Sequence, residues 1–174
     1  MASQLSINPR KTAVIIMDYQ NRQLNSLPEE SRGKIIARAN KVLAKARERD
    51  IPVIHIEVQR GVKTPETEIH PDIIRKTGEL LLTKHRVGPF STTNLDEILK
   101  KQGTETLVLM GIRTSGCVLT AVRWAADIDY KLVVIADCCA DPDAEVHRIL
   151  MEKIFPWNGM AAIASSQEFI QAIS

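Results

Sequence analysis

Residues 106–118 of this chain read Thr-Leu-Val-Leu-Met-Gly-Ile-Arg-Thr-Ser-Gly-Cys-Val, an apolar run followed by small residues and one cysteine. Apolar residues then recur at helical spacing as far as Ala126. This pattern predicts a buried strand, a tight turn and a helix that begins at Cys117. A thiol at a helix start faces free backbone N–H groups and the positive end of the helix dipole, which both favour the thiolate. Cys117 is therefore a candidate nucleophile.

The alternation of strand and helix extends over the rest of the chain. Further strands are predicted at Thr12–Met17, Val53–Val58, Glu79–Lys84, Lys131–Ala136 and Met160–Ala164. Helices are predicted over Lys34–Arg49 after a loop at residues 25–33, up to Lys101, from Asp141, and after Ser165 or Ser166. Such alternation is typical of a parallel sheet with helices on both faces. We expect a single domain over residues 1–174 with an α/β fold, a three-layer Rossmann-like sandwich of about six mainly parallel strands.

The composition excludes several classes of function. The 23 basic and 21 acidic residues leave a net charge of only +2, which gives no electrostatic case for binding nucleic acid or an anionic membrane. No apolar run approaches the roughly 20 residues that span a bilayer, and the first residues lack the layout of a signal peptide. Three cysteines, two of them adjacent, do not form a disulfide framework. We expect a cytoplasmic protein that acts on a small molecule.

Three chemically capable side chains each follow a predicted strand: Asp18, Lys84 and Cys117. The carboxyl ends of parallel strands lie along one edge of a sheet, so these side chains converge if their strands are near one another. Asp18 can accept the thiol proton, and Lys84 can hold the carboxylate and stabilise negative charge. The turn before Cys117 supplies backbone N–H groups for an oxyanion. The chemistry would form a thioacyl-enzyme that water hydrolyses, and it needs no cofactor.

Each of these residues also has a simpler explanation. Asp18 could cap a turn, Lys84 could be a solvated surface lysine, and Cys117 could be a small core residue. The pair His55 and Glu57 shares one face of the second strand and could hold a metal ion, although a polar pair at a strand end is the simpler interpretation.

The segment Arg60–Gly78 is rich in charged residues and contains two prolines, which predicts a long irregular connection. A connection of this length could cover a site as a lid. It contains Glu66, Glu68 and His70, for which a solvated loop is the simpler interpretation than a metal site.

The same residues carry a family resemblance. The chain resembles the isochorismatase-like cysteine hydrolases, a superfamily that includes nicotinamidases and N-carbamoylsarcosine amidases. The matching stretches are Val14–Asn21, Thr83–Lys84 with Phe90 downstream, Leu107–Val118 and Ala136–Asp141. The resemblance implies an Asp18–Lys84–Cys117 catalytic triad. It also implies a cis peptide between Ile112 and Arg113 that aims the backbone N–H groups of Arg113 and Cys117 at the oxyanion, and a homodimer or homotetramer.

Two positions depart from the family pattern. Nicotinamidases bind a metal through an Asp-x-His pair just past the second strand, where this chain has Val58 and Arg60. We therefore predict no metal at this position and a substrate other than nicotinamide. The position after Ile112 is commonly small in the family, whereas here it is Arg113. Its side chain could select an anionic substrate in the cleft, or it could point to solvent or a partner subunit, which is the interpretation we prefer.

Gln20, Phe90 and Arg113 are the candidates for substrate binding that follow from the resemblance. Isochorismatases proper lack the cysteine, so Cys117 favours hydrolysis of a carbonyl compound, an amide or related C–N bond, over hydrolysis of a vinyl ether. Two alternatives stay open: vinyl-ether hydrolysis with Asp18 as acid or base, and a non-catalytic oligomeric binding protein of the same fold.

Overall fold

The computed structural model describes residues 5–174, in which six strands form one sheet. The strands are β1 Thr12–Met17, β2 Val53–Val58, β3 Leu80–Lys84, β4 Thr106–Ile112, β5 Lys131–Ala140 and β6 Ala162–Ala164. They are arranged in the order β3-β2-β1-β4-β5-β6, and each neighbouring pair is parallel. The segments between consecutive strands are long, which suits a parallel sheet, because parallel neighbours are joined by crossover segments and not by tight turns. All six predicted strands are present, although the ends of several differ from the prediction.

Helices cover both faces of the sheet. They are α1 Asn21–Leu24, α2 Glu29–Glu48, α3 Leu95–Lys101, α4 Leu119–Asp127, α5 Ala144–Ile149 and α6 Ser166–Ala172. Short 3₁₀ turns lie at Pro9–Lys11, Pro65–Thr67 and Trp157–Gly159, and π-helical turns at Thr114–Val118 and Leu150–Ile154. Within residues 5–174, none of these helices combines the length and the apolar character that a bilayer crossing requires.

The core is divided into two apolar layers by the central strands. All six residues of β1 are buried. Val14 and Ile16 contribute to the layer under α2 and α6, whereas Ile15 and Met17 contribute to the layer under α3 and α4. Alternate residues of a strand point to opposite faces, so a continuous apolar run is what a strand covered on both sides requires. The predicted α/β three-layer architecture is confirmed.

Helix α2 begins five residues earlier than the sequence pattern predicted, so residues 29–33 are helical rather than loop. Pro28 occupies the N-cap and cannot continue a helix in the N-terminal direction. Glu29 and Glu30 then lie in the first turn, where negative charge complements the helix dipole. Gly33, which suggested a loop, is tolerated inside the 20-residue helix at a cost of about 1 kcal/mol.

The end of β5 was also predicted incorrectly. The strand continues through Cys138 and Cys139 to Ala140, and the following helix starts at Ala144 rather than at Asp141. The reason is that Asp143 forms the N-cap and accepts hydrogen bonds from the N–H groups of the next turn. Asp141 is instead bound to the turn after β4, as described below.

A charged network anchors edge strand β3 to α2. The Arg47 guanidinium donates two hydrogen bonds to the Glu79 carboxylate, at 2.7 and 2.9 Å, and His55 Nε2 lies 3.1 Å from the same carboxylate. The Lys76 N–H also donates to it. Burial raises the pKa of Glu79, but the hydrogen bonds from Arg47 and Lys76 outweigh this and lower the pKa to about 2. The His55 side chain is therefore occupied by its contact with the Glu79 carboxylate in this structure.

Replacing Glu79 by glutamine is expected to lower the free energy of unfolding by about 2 kcal/mol near pH 7, since hydrogen bonds to charged groups contribute about 1.5–3 kcal/mol. The native pKa lies below the ordinary 4.5. The stabilisation is therefore present above about pH 4.5 and is lost as the pH falls towards 2. Urea denaturation at a series of pH values should show the two proteins converging in this window.

The matched control is Glu97→Gln, because Glu97 forms an exposed pair with Lys101 one helical turn away. This change should cost no more than about 0.5 kcal/mol at any pH. A difference between wild type and Glu79→Gln that is the same at pH 7 and pH 3 would contradict the assignment.

Candidate active site

Asp18, Lys84 and Cys117 meet at the carboxyl edge of the sheet. Asp18 directly follows β1, Lys84 is the last residue of β3, and Cys117 lies in the π-helical turn after β4. Lys84 Nζ is 2.8 Å from Asp18 Oδ2. Both charged groups act on the Cys117 thiol, because Asp18 raises its pKa and Lys84 lowers it after the larger effect of burial. The structure thus brings together the three residues selected from the sequence.

Lys84 reaches Asp18 across an intervening strand. Strand β2 lies between β1 and β3, so the two strands are about 9.6 Å apart at the usual spacing of about 4.8 Å. Only a long side chain can bridge that distance. The Lys84 side chain is 1% exposed. Its three ammonium hydrogens are matched by Asp18 Oδ2, the Val87 carbonyl at 2.8 Å and the Arg86 carbonyl at 3.3 Å. The cation is therefore fixed in position.

The Asp18 carboxylate has one engaged oxygen and one free oxygen. Oδ2 accepts from Lys84, whereas Oδ1 is buried and has no hydrogen-bond partner within residues 5–174. The backbone at Asp18 has φ 58°, the left-handed region that aspartate tolerates better than most residues. Burial raises the pKa of Asp18 above its ordinary value, and the Lys84 ammonium opposes this rise. The Asp18 carboxylate thus keeps one buried acceptor atom free.

Burial of the Cys117 side chain favours the neutral thiol over the thiolate. Cys117 is 2% exposed, and its Sγ donates to the Arg113 carbonyl at 3.6 Å. Burial, followed by the charge of Asp18, raises the pKa of this thiol well above its ordinary value. This effect of burial acts against the attraction expected from a helix start. Cys117 also lies two residues before α4 rather than at its first residue.

The turn that carries Cys117 is held by contacts that the sequence did not reveal. Ser115 donates from both its N–H and its hydroxyl to Asp141, at 2.8 and 2.6 Å. Thr114 Oγ1 lies 2.8 Å from His147 Nδ1. These bonds fix the turn to the segments after β5. The peptide between Ile112 and Arg113, at the start of the turn, is cis, as the family resemblance implied.

Gly111 allows the turn to pack closely on β4. A Cβ atom at this position would lie 2.8 Å from Val118 Cγ2, closer than real Cβ atoms come, and 3.0 Å from Cys117 Sγ, which is a tight contact. A glycine at the end of an apolar strand was the available signal for this close approach. A side chain at Gly111 would therefore force Val118 to shift and would crowd Cys117.

The three candidates for substrate binding differ in their surroundings. Phe90 is buried, and its ring stacks on Trp124 and Tyr130 with centroid distances of 6.4 and 6.5 Å. Arg113 is exposed, and its guanidinium makes no hydrogen bond or ion pair with any residue between 5 and 174. Gln20 is 1% exposed, and its side-chain amide is hydrogen-bonded to backbone groups.

Gln20 clamps the Arg60–Gly78 segment to the end of β2. Its Nε2 donates to the carbonyls of Val58 and Thr67, and its Oε1 accepts from the Val58 N–H at 2.8 Å. Backbone pairing between Gln20 and Ile69 continues the contact. Both amide hydrogens are used in this way, so Gln20 positions the segment rather than presenting a free group to a substrate.

Changing Gln20 to leucine is expected to loosen the Arg60–Gly78 segment, because three hydrogen bonds are lost and buried backbone groups lose their partners. Hydrogen exchange followed by mass spectrometry should show at least about tenfold faster exchange in peptides covering residues 60–78. An exposed control, Gln102→Leu, should leave this exchange unchanged. A rise in KM without faster exchange would instead favour direct contact between Gln20 and the substrate.

The sequence-level metal hypotheses find no support in the arrangement of side chains. His55 is bound to Glu79, and the Glu57 carboxylate accepts from Thr83 at 2.9 Å. Among residues 5–174, no group of three or more histidine, cysteine, aspartate or glutamate side chains is arranged to hold a metal ion. Arg60 lies close enough to the site for its charge to lower the pKa of Asp18, after the larger effects of burial and Lys84.

Comparisons with known proteins identify the family and the fold of this chain. Residues 12–168 match the model of the isochorismatase domain. Ureidoacrylate amidohydrolase RutB of Pseudomonas syringae pv. syringae is 26% identical over 88% of this chain and 82% of its own. The structure of an isochorismatase-like hydrolase from Alkaliphilus metalliredigens is 26% identical, with a TM-score of 0.83 over 94% of this chain and 99% of the other.

The fold also matches N-carbamoylsarcosine amidase from Thermoplasma acidophilum, with a TM-score of 0.77 and 24% identity over 90% of this chain and 96% of that enzyme. Hydrolases thus occur among the related sequences and among the proteins that share this fold. Since the family model covers nearly the whole chain, this protein belongs to the isochorismatase domain family.

Proposed function

We propose that this protein hydrolyses an amide or a related C–N bond of a small molecule through a thioacyl intermediate on Cys117. The observation that carries this proposal is the Asp18 carboxylate. One of its oxygens is fixed by Lys84, the other is buried without a geometric hydrogen-bond partner in residues 5–174, and the carboxylate interacts with the Cys117 thiol. A free acceptor atom on this carboxylate suits a nucleophile that loses its proton as it attacks.

In the first half of the reaction, Cys117 Sγ attacks the substrate carbonyl carbon while its proton passes to Asp18 Oδ1. The carbonyl oxygen becomes an oxyanion, which the backbone N–H groups of Arg113 and Cys117 stabilise. Donors of this kind contribute about 3–4 kcal/mol to the transition state. The C–N bond then breaks, and Asp18 returns the proton to the leaving nitrogen. The products are a thioester on Cys117 and ammonia or an amine.

In the second half, Asp18 takes a proton from water as the water oxygen attacks the thioester carbon. Collapse of the tetrahedral intermediate breaks the C–S bond, and the proton on Asp18 returns to the departing sulfur. The carboxylic acid product leaves, and the neutral thiol is restored. Lys84 makes no bond to the substrate in this scheme. Its fixed charge stabilises ionised Asp18 and so keeps the base available.

A relative that is named as an amidohydrolase supports the amide reading, since RutB aligns with 88% of this chain. A second candidate is vinyl-ether hydrolysis of the kind that gives the family its name. The raised pKa of Asp18 favours this candidate, because a carboxyl group that holds its proton can act as a general acid. In that reaction Cys117 would take no covalent part.

The test is a panel of small amides, ureides and hydrazides, together with a vinyl-ether substrate, assayed with wild type and with Cys117→Ala as the blank. Release of ammonia or amine by wild type alone is the expected result. Intact-protein mass spectrometry after rapid acid quenching should show an added acyl group, and peptide mapping should place it on Cys117. Vinyl-ether turnover that survives in Cys117→Ala, with no C–N hydrolysis by wild type, would replace the proposal with the second candidate.

A further inference from the structure

Strand β5 bulges where it passes the π-helical turn Thr114–Val118, which carries Cys117 and is named the nucleophile turn here. Strands β4 and β5 pair in a regular register as far as Leu109, which lies opposite Val134. Gly111 then lies opposite Cys139, so β5 advances by five residues while β4 advances by two. Bulges are frequent next to active sites, where they redirect the side chains that follow.

The bulge brings Asp141 beside the nucleophile turn. After the shift, Ile112 lies opposite Ala140, and these are the last residues of β4 and β5. Asp141 therefore leaves β5 at the level where the chain leaves β4 to enter the turn. In the register that holds at Leu109, Ile112 would lie opposite Asp137 instead. The extra residues of β5 are thus what places Asp141 next to the turn.

Asp141 holds the nucleophile turn through Ser115. Its Oδ2 accepts hydrogen bonds from the Ser115 N–H at 2.8 Å and from the Ser115 hydroxyl at 2.6 Å. Its Oδ1 accepts from the N–H of Asp143, the N-cap residue of α5, at 3.3 Å. Both carboxylate oxygens are therefore used, one on the turn and one at the start of α5. Hydrogen bonds to an ionised acceptor are about twice as strong as neutral ones.

Helix α5 also contacts the neighbouring residue of the turn. Thr114 is buried, and its Oγ1 lies 2.8 Å from Nδ1 of His147 on α5. Thr114 and Ser115 are consecutive, so α5 and its N-terminal loop attach the turn at two adjacent side chains. A turn that is held at adjacent residues by one element has little freedom to move relative to that element.

We propose that Asp141 is a positioning residue, which holds the nucleophile turn in the geometry that lets Cys117 and the oxyanion donors act on one carbonyl group. The inference rests on the proposed function, in which the N–H groups of Arg113 and Cys117 stabilise the oxyanion. Ser115 lies midway between these two residues, so its bonds to Asp141 restrain both donors. A displacement of about 1 Å in such a site can lower the rate about 100-fold.

The first test separates the chemical step from substrate binding. Asp141→Ala removes both bonds to Ser115 and should lower kcat on a C–N substrate about 30- to 100-fold, with KM within about threefold of wild type. Asp141→Asn keeps a side-chain oxygen that can accept from Ser115. It should therefore restore kcat to within about fivefold of wild type. A kcat that Asp141→Ala leaves unchanged would overturn the proposal.

A double variant identifies the route through which Asp141 acts. Ser115→Ala loses the hydroxyl bond but keeps the N–H bond, so it should lower kcat only about three- to tenfold. Ser115→Ala/Asp141→Ala should match Asp141→Ala within about twofold, because the hydroxyl has already lost its acceptor. A double variant that is slower by the product of the two single effects would show that the two residues act independently, which contradicts the proposal.

Asp143→Ala distinguishes positioning from a general loss of stability. The Asp143 side chain caps α5, whereas only its backbone N–H binds Asp141. Removing this cap should lower Tm by about 3 °C, yet kcat should stay within about threefold of wild type, because the bonds to Ser115 remain. Equal losses of kcat in Asp143→Ala and Asp141→Ala would mean that both residues only support the fold.

Alkylation by iodoacetamide tests the proposal without any substrate. Cys117 is 2% exposed, so a loosened turn should expose its thiol, and Asp141→Ala should raise its labelling rate at least about fivefold. Peptide mapping provides Cys138 and Cys139 as internal references, and Asp141→Asn should restore the slow rate. If wild type hydrolyses no C–N bond but labelling follows this pattern, the proposed function fails and the positioning role stands. A Cys117 labelling rate that does not rise in Asp141→Ala would overturn the positioning role.

Discussion

Replacing Cys117 by alanine is expected to lower kcat/KM on any C–N substrate of this protein by at least about 10⁴-fold, because covalent nucleophiles that act with a general base contribute effects of this size or larger. The fold should survive, since Cys117 is a small side chain whose replacement removes a single sulfur atom from the interior. The loss of activity would therefore be chemical. The measurement is steady-state hydrolysis at matched protein concentration, with circular dichroism as the check on folding.

Cys138 and Cys139 provide matched controls within the same chain. Both thiols are buried in β5, and burial raises the pKa of each, to about 12 for Cys139. Within residues 5–174, neither thiol is hydrogen-bonded to Asp18 or Lys84. Cys138→Ala and Cys139→Ala should keep activity within about threefold of wild type while costing some stability through small cavities. Full activity in Cys117→Ala would remove the thioacyl mechanism altogether.

Cys117→Ser separates the role of the thiol from the role of the site. A hydroxyl is a weaker nucleophile at the same base, and burial favours the neutral form of the wild-type thiol. If proton transfer to Asp18 accompanies attack, the serine variant should retain weak, base-dependent turnover above the alanine blank. Activity of serine and alanine variants that is equally absent would mean that the site is tuned to sulfur alone.

The sequence predicted the elements of this fold well, because buried parallel strands are continuous apolar runs and the helices between them show a clear apolar face. The order of the strands in the sheet could not be predicted in this way, because no local sequence pattern indicates which strands are neighbours. The grouping of Asp18, Lys84 and Cys117 was nevertheless predicted, because every parallel strand ends at the same edge. The bridge across β2 depends on the length of the lysine side chain.

Two properties of the site could not be predicted from local sequence. The argument from the helix start favoured the Cys117 thiolate, but it contained no information about desolvation by the surrounding core, which raises the pKa of this thiol. The Gln20 side chain binds the backbone carbonyls of Val58 and Thr67, which lie 38 and 47 residues further along the chain. Every residue has a backbone carbonyl, so the residue types at these positions do not indicate the contacts. Contacts of side chains with distant backbone are the information that only the folded chain provides.

Replacing Lys84 by methionine is expected to lower the free energy of unfolding by about 3–5 kcal/mol near neutral pH, because it leaves the buried Asp18 carboxylate without its counter-charge. Methionine preserves most of the volume of the lysine stem. The pKa of Asp18, already raised by burial, rises further when the opposing charge of Lys84 is removed. Activity on a C–N substrate should fall, and its acid limb should move to higher pH.

The direction in which kcat/KM changes with pH follows from the role of Asp18, which acts as a base only in its ionised form. Asp18 must lose its proton to act, so the kcat/KM profile rises with pH through the Asp18 pKa of the free enzyme. In Lys84→Met this rise should occur at higher pH than in wild type. Stability should show the opposite trend. A folded pKa raised above the unfolded 3.8 means that the folded state binds more protons, so the variant loses stability as the pH rises through that window.

The double variant Asp18→Asn/Lys84→Met distinguishes an unpaired charge from a packing defect. Neutral residues of similar shape at both positions remove the buried charges together, and such exchanges are often nearly neutral for stability. The double variant should therefore recover most of the stability lost in Lys84→Met while remaining inactive, since Cys117 then has no base. If the double variant is as unstable as Lys84→Met, the loss comes from methionine packing. Wild-type stability in Lys84→Met would instead mean that Asp18 is already neutral in the resting protein.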